Sequence, residues 1–251
     1  MARTVNEAAH AERRNAFLDT AQRLIGTKGY EQMTIQDVLN DLGASKGALY
    51  HYFDSKQSLL EGIVERYTEA AEEHLARCAA DAELTALDKL RRFFTGLRPS
   101  AAEMRLGLAA LPSWYSDDNA GARHRTGARL TDRTAPLLAK IVEQGVAEGV
   151  FTAAFAEPAG RIVIGLILDL DETTGRQVLA AGPRGLDAAS IERTVAAYSD
   201  ALERVLGAPA GSLVLIDPAA LRAWLEVSND EQPDGAALEL EGKTQWHGAT
   251  T

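Results

Sequence analysis

The chain has 251 residues, 46% hydrophobic and 25% charged, which is enough for a small head and one larger domain. Its formal net charge of −10 excludes a general nucleic-acid coat, because that needs a broad basic surface, so any DNA binding must be focal. A single cysteine, Cys78, excludes an intrachain disulfide and fits a reducing cytoplasm, and the longest apolar stretch, Ile162 to Leu168, is too short to cross a bilayer.

Met1 to Ala11 reads as a flexible arm, His10 with it, and no signal peptide opens the chain. A first helix, about Glu12 to Thr27, repeats Phe17, Ala21, Leu24 and Ile25 at helical spacing and stops at Gly29-Tyr30. Arg13 and Arg14 near its start are either phosphate contacts or plain surface.

Thr34 to Phe53, TIQDVLNDLGASKGALYHYF, follows as two short helices joined by a glycine turn. Thr34 caps the first, with Asp37 in the capping-box position and Ile35, Val38, Leu39 and Leu42 on one face. Gly43 ends it. Ser45 caps the second, whose apolar stripe is Leu49, Tyr52 and Phe53. Helical spacing turns Lys46, Gly47, Tyr50 and His51 to the opposite face. A solvated face is usually filled with Glu, Lys and Arg, so this one looks shaped for a surface. Lys46 offers a cation to a phosphate or a guanine edge, and Tyr50 and His51 offer stiff donors for phosphate oxygens. Gly47 costs the helix roughly 0.5 to 1 kcal/mol relative to Ala, which makes sense if the backbone must approach a groove. Asp54 or Ser55 caps the next helix, with Gln57 three residues after Asp54. Lys56 in its first turn is placed to grip an anion. Two short helices in this layout form a helix-turn-helix, with DNA as the first partner to consider.

The segment from about Arg13 to Leu60 resembles the tetracycline-repressor (TetR) family of bacterial regulators, with Thr34, Gly43, Ser45, Gly47, Leu49, Tyr50, His51, Phe53 and Lys56 in the family's positions. Leu39 and Leu42 stand where Ala is more common, Ala44 for Val, Tyr52 for His and Gln57 for Glu, departures that touch packing more than recognition. The resemblance implies an all-α fold: a three-helix helix-turn-helix head (residues 1–54), then a larger helical effector-binding and dimerisation domain (55–226). Residues 227–251 are expected to form a disordered tail. The DNA-contact candidates are Arg14, Thr34, Gln36, Ser45, Lys46, Gly47, Ala48, Tyr50, His51 and Lys56.

A long helix, about Ser55 to Ala80, carries Leu60, Ile63, Val64, Tyr67, Ala71, His74, Leu75 and Cys78 on one stripe. At about 1.5 Å per residue it spans almost 40 Å, long enough to act as a lever between the domains. Helical periodicity continues through Leu84, Leu87, Leu90, Phe94 and Leu97 to a break at Arg98-Pro99. A helix from about Ala101 to Ala110 ends at Pro112, before the loop SWYSDDNAGA. The helix from about Ala122 to Glu148 should kink at Pro136 and close at Gly149 and Phe151. Ala159 to Leu170 is apolar around its circumference and reads as a helix buried on all sides, with Asp169 and Asp171 capping its end or meeting a cationic ligand or partner. Asp187 to Leu206 carries Ile191, Val195, Tyr198, Leu202, Val205 and Leu206 on one stripe. After Gly207, GSLVLIDPAALRAWLEV reads as a short strand or turn and one more helix from Pro218.

The resemblance implies that the last two long helices pair with their copies in a homodimer, through Ile164, Ile167, Ile191, Val195, Tyr198 and Leu202. It also implies that a small hydrophobic or amphipathic effector changes the distance between two heads. Pocket candidates are His74, Phe94, Met104, Trp114 and Tyr115, for each of which core packing is the competing reading. No zinc spacing, phosphate loop or nucleophile elbow is present, so no metal, cofactor or catalytic residue is expected. The sequence therefore predicts a cytoplasmic repressor that binds double-stranded operator DNA and no membrane. The alternative is a helical protein-binding adaptor that keeps the head as a structural piece.

Overall fold

The computed structural model describes residues 2–96, 101–181 and 187–216. Among these the chain is all-α, with nine α-helices and a single 3-10 turn. Helix α1 (Ala2–Lys28) takes in the expected arm. The reason is local: Ala2, Glu7, Ala8, Ala9 and Ala11 are strong helix formers and no Gly or Pro interrupts them. Helices α2 (Ile35–Leu42) and α3 (Lys46–Tyr50) follow, then α4 (Lys56–Ala80), α5 (Ala86–Gly96), α6 (Ala101–Trp114), α7 (Ala120–Ala147), α8 (Ala156–Ala181) and α9 (Ala188–Leu206).

Several boundaries differ from the sequence reading. Ser55, not Asp54, caps α4, and its reciprocal partner is Ser58 rather than Gln57. Pro112 lies inside the last turn of α6, where a missing backbone donor disturbs only one bond, so the helix reaches Trp114. Helix α7 runs through Pro136, over the span expected for it. Helix α8 continues past Asp169 and Asp171, so neither is at a helix end. It is not buried on all sides either, because Ile162 is 49% exposed. Residues 208–216 form turns rather than a strand: the buried Glu203 carboxylate accepts the N–H groups of Gly211 at 2.9 Å and Leu213 at 2.8 Å. That fold-back buries Leu213 and Leu215. The expected break at Arg98-Pro99, the helix from Pro218 and the tail lie outside the described residues.

Two apolar cores organise the chain, and α4 belongs to both. Its Leu59, Leu60 and Ile63 join Phe17, Leu18, Val38, Leu49 and Phe53 in the head core, together with Leu106 and Ala110 of α6. Its Leu75 and Cys78 join Leu90, Leu138, Phe151, Val163 and Leu202 in the body core. Alongside, α4 and α7 are linked by a ladder of ion pairs: Glu61–Arg125 at 3.5 Å, Glu65–Arg129, and Glu72–Arg133 at 2.8 Å. On its other side Arg66 meets Asp19 of α1 at 2.5 Å. Exposed pairs of this kind contribute about 0.2 to 1 kcal/mol each, so they orient α4 more than they stabilise it.

Helices α7 and α8 cross closely at Gly160, where a Cβ would lie 2.6 Å from the Ala135 carbonyl oxygen and 2.7 Å from the Ala139 nitrogen. Gly160→Ala should therefore cost about 1 to 3 kcal/mol and lower Tm by several degrees. Gly26→Ala, in an open stretch of α1, should raise it slightly. Thermal melts of the two variants check both signs. Asp37 gives a pH signature: its hydrogen bond to Lys28, then those to Thr34, hold its pKa down to about 2. A depressed carboxylate stabilises the fold fully above its unfolded value of about 3.9 and progressively less as pH falls through the folded one. Asp37→Asn should lower Tm at pH 6, with the difference from wild type closing between about pH 4 and pH 2 in melts across that range.

Candidate nucleic-acid interface

The interface is built from the caps upward. Thr34 accepts from the Asp37 N–H at 3.1 Å while the Asp37 carboxylate accepts from the Thr34 N–H at 2.8 Å, which fixes the start of α2. Gly43, at φ 59°, ends α2 in the left-handed region that favours glycine. Ser45 then starts α3 by accepting from the Ala48 N–H at 3.2 Å. Helix α3 has five residues, too few to persist alone. It is held by Leu49 and Phe53, both buried in the head core, with half-buried Ala48 and Tyr52 beside them.

That anchoring leaves Lys46, Gly47, Tyr50 and His51 exposed on one side. Tyr50 is 46% exposed, and the Lys46 Nζ lies 5.6 Å from its ring centroid. A Cβ at Gly47 would meet nothing within 4 Å, so nothing inside the chain requires glycine there. Thr34 and Gln36 are also exposed, the Gln36 amide donating to Asn40 at 2.7 Å.

Two cations turn elsewhere. Arg14 donates to Glu65 at 3.0 Å and lies over the Phe53 ring at 5.5 Å, tying α1 to α4. Lys56 donates to the Glu31 carbonyl at 3.1 Å and sits over the Tyr30 ring at 4.2 Å, so it holds the loop before α2 rather than standing free at the N-terminus of α4. Sequence reasoning missed His10. Once the arm is helical, its ring packs 4.6 Å from Tyr52 and 5.7 Å from His51. The signal was the unbroken helix-forming run before Glu12.

The five effector candidates do not meet in one place. His74 sits in the α4–α5 seam, against the Arg92 carbonyl at 3.1 Å and stacked near Phe93. Phe94 is buried in the body core, whereas Trp114 packs against the head core. Tyr115 lies against Gly175 of α8 and donates to the Asp171 carbonyl at 3.2 Å. Burial, then the nearby Asp171 and Glu172 carboxylates, push its phenol pKa upward. The Met104 side chain lies outside the described residues. A cleft of about 580 Å³ lies along α9 and residues 210–216, lined by Glu192, Ala196, Asp200, Val214 and Ile216, with none of the five candidates.

Of the dimer candidates, Ile164, Ile191, Val195 and Leu202 are buried by the chain's own helices. That packing leaves them no surface for a second copy. Ile167 and Tyr198 are partly exposed, and Tyr198 donates to Asp169. Ile162 and Phe155, the latter 73% exposed, are apolar groups of α8 and its entry that the sequence reading did not single out. Among the described residues no helix is long and apolar enough to cross a membrane, and no group of three or more His, Cys, Asp or Glu is placed to hold a metal ion.

Residues 17–63 match the family model of bacterial regulatory proteins of the tetR family. The HTH-type transcriptional regulator EthR of Mycolicibacterium smegmatis is 29% identical over 106 residues, 41% of this chain and 49% of its own length. The HTH-type transcriptional repressor KstR2 of Rhodococcus jostii is 38% identical over 52 residues, 21% of this chain and 26% of its own length. The chain thus spans about half, or less, of these curated relatives. Two solved structures share the fold. One is SmeT, the repressor of the Stenotrophomonas maltophilia multidrug efflux pump SmeDEF, with a TM-score of 0.53 and 19% identity over 82% of this chain and 96% of that one. The other is a TetR-family transcriptional regulator from Mesorhizobium loti, with a TM-score of 0.51 and 17% identity over 78% of this chain and 96% of that one. The head, residues 17–63, is thus similar to the tetR family of bacterial regulatory proteins, and the described helices share the fold of these two solved structures.

Proposed function

We propose that the chain is a homodimeric DNA-binding transcriptional regulator, a repressor released from its operator by a small effector. The observation that carries the reading is the α3 surface: Leu49 and Phe53 hold the helix from beneath while Lys46, Gly47, Tyr50 and His51 face outward. Tyr50 and His51 are donors of fixed reach, and Gly47 lets the backbone approach a groove. Thr34, Gln36 and Ser45 lie on the flanking caps and on α2, as in a helix-turn-helix that grips phosphates on either side of its reading helix.

The reading assigns residues 1–54 to the DNA-binding head and 55–226 to the effector-binding and dimerisation body, with 227–251 as a tail. Recognition helices of a dimer must meet successive major grooves about 34 to 36 Å apart, or a multiple of that spacing. Helix α4 supplies the coupling, since it contributes side chains to both cores. An effector that favours another tilt of α4 weakens operator binding by its differential affinity, commonly about 1 to 3 kcal/mol. Phe155 and Ile162 supply apolar surface for the second copy.

Lys46→Ala and Tyr50→Ala should each weaken binding by roughly tenfold, with a salt slope shallower by about 1 for the lysine, and leave Tm unchanged. Gly47→Ala should stabilise the fold slightly while weakening DNA binding, a pairing that a purely structural glycine does not give. Fluorescence anisotropy on a duplex selected by the full chain from a random-sequence pool, run beside thermal melts, checks all three. Wild-type affinity in every variant would refute the reading. Ile162→Arg should shift the sedimentation coefficient from dimer to monomer, and a retained dimer would move the interface off this face.

A further inference from the structure

We propose that His10 and His51 form a proton-linked part of the DNA interface, so that DNA binding by this chain takes up protons. The inference deepens the regulator reading and rests on it. His51 C-caps α3, its N–H bonded to the Gly47 carbonyl at 3.2 Å, and stands on the face offered to DNA. His10 reaches the same place from α1. Its ring centroid lies 5.7 Å from that of His51, edge to face at 76°, and 4.6 Å from that of Tyr52. Tyr52 lies 5.0 Å from His51 and 5.8 Å from the buried Phe17, so an aromatic stack rooted in the core positions both imidazoles. Both histidines are exposed, and among the described residues neither is paired with a carboxylate.

The adjoining elements carry further charged groups. Helix α1 brings Arg13, over the Phe17 ring at 5.3 Å, then Arg14, over Phe53, and the exposed Glu12. Helix α3 brings Lys46 and Tyr50, and the turn after it Asp54, which accepts from the Ser55 hydroxyl at 3.1 Å. Imidazoles change charge near neutral pH. A row of phosphates laid across both rings favours their charged form. A duplex laid on this face therefore binds the protonated pair best, and by linkage its affinity rises as pH falls. In a chain of net charge −10 this adds cations where DNA lies.

The test uses the full chain and a duplex selected by it from a random pool at pH 8. From pH 8 to pH 6 at fixed salt, affinity should rise roughly tenfold and the salt slope steepen by about one to two. Calorimetry near neutral pH in two buffers of different ionisation enthalpy should show net proton uptake. His10→Phe and His51→Phe keep an aromatic ring in the stack but cannot titrate. Each should lose part of the pH response and the double variant most of it, with Tm unchanged, whereas a merely packing role predicts wild-type behaviour from both. A flat wild-type profile, or a double variant with the wild-type pH response and proton uptake, would overturn the proposal while leaving DNA binding intact. Recovery of no duplex at pH 8 would overturn the regulator reading and this inference together.

Discussion

The burial of Leu49 and Phe53 beneath α3 is the contact on which the functional surface depends. A five-residue helix cannot meet its own nucleation cost. Burying a Leu or Phe side chain contributes about 1.5 to 3 kcal/mol each, which is the right size to fix so short an element. Because the anchor is underneath, Lys46, Gly47 and Tyr50 on the outward side are free of core packing. An aromatic such as Tyr50 can remain exposed there and a glycine can stand at position 47 without any internal contact demanding it. The caps Thr34, Gly43 and Ser45 then determine where the helix points.

The second constraint is that α4 is common property of two cores. A helix with Leu60 in one core and Leu75 in the other cannot tilt without disturbing a packed surface at one end, so the head follows the body. The Glu61–Arg125, Glu65–Arg129 and Glu72–Arg133 ladder adds a directional restraint along its flank. Exposed pairs are weak singly, yet three of them together are of the same order as a typical coupling free energy of about 1 to 3 kcal/mol. Glu65 is also shared with Arg14 of α1, which brings the head into the same network.

Legibility in the sequence followed the range of the interactions. Capping is local, so Thr34 with Asp37, Gly43 and Ser45 could be read directly, and the apolar stripe of α3 followed from spacing. Where two local signals competed the reading stayed open between Asp54 and Ser55: Ser55 with Ser58 caps α4 although Asp54 with Gln57 has the same spacing. The amino-terminal arm was misread: its alanines and its lack of Gly or Pro support a helix. Tertiary destinations were not legible. Trp114 and Phe94 are similar in character but enter different cores, and Arg14 and Lys56 found partners in Glu65 and the Glu31 carbonyl that only the folded chain brings close. For the same reason the stripe of α9 showed that Ile191, Val195 and Leu202 are buried but not that their own chain covers them.

For this surface to act as proposed, DNA must lie on the α2–α3 face. Hydroxyl-radical protection mapped by mass spectrometry, on the full chain with and without a bound duplex, addresses this directly. Protection should concentrate on side chains of residues 34–51, with Tyr50 and His51 strongest. Protection confined to α7, α8 and α9, with Tyr50 and His51 as reactive in the complex as in the free chain, would contradict it.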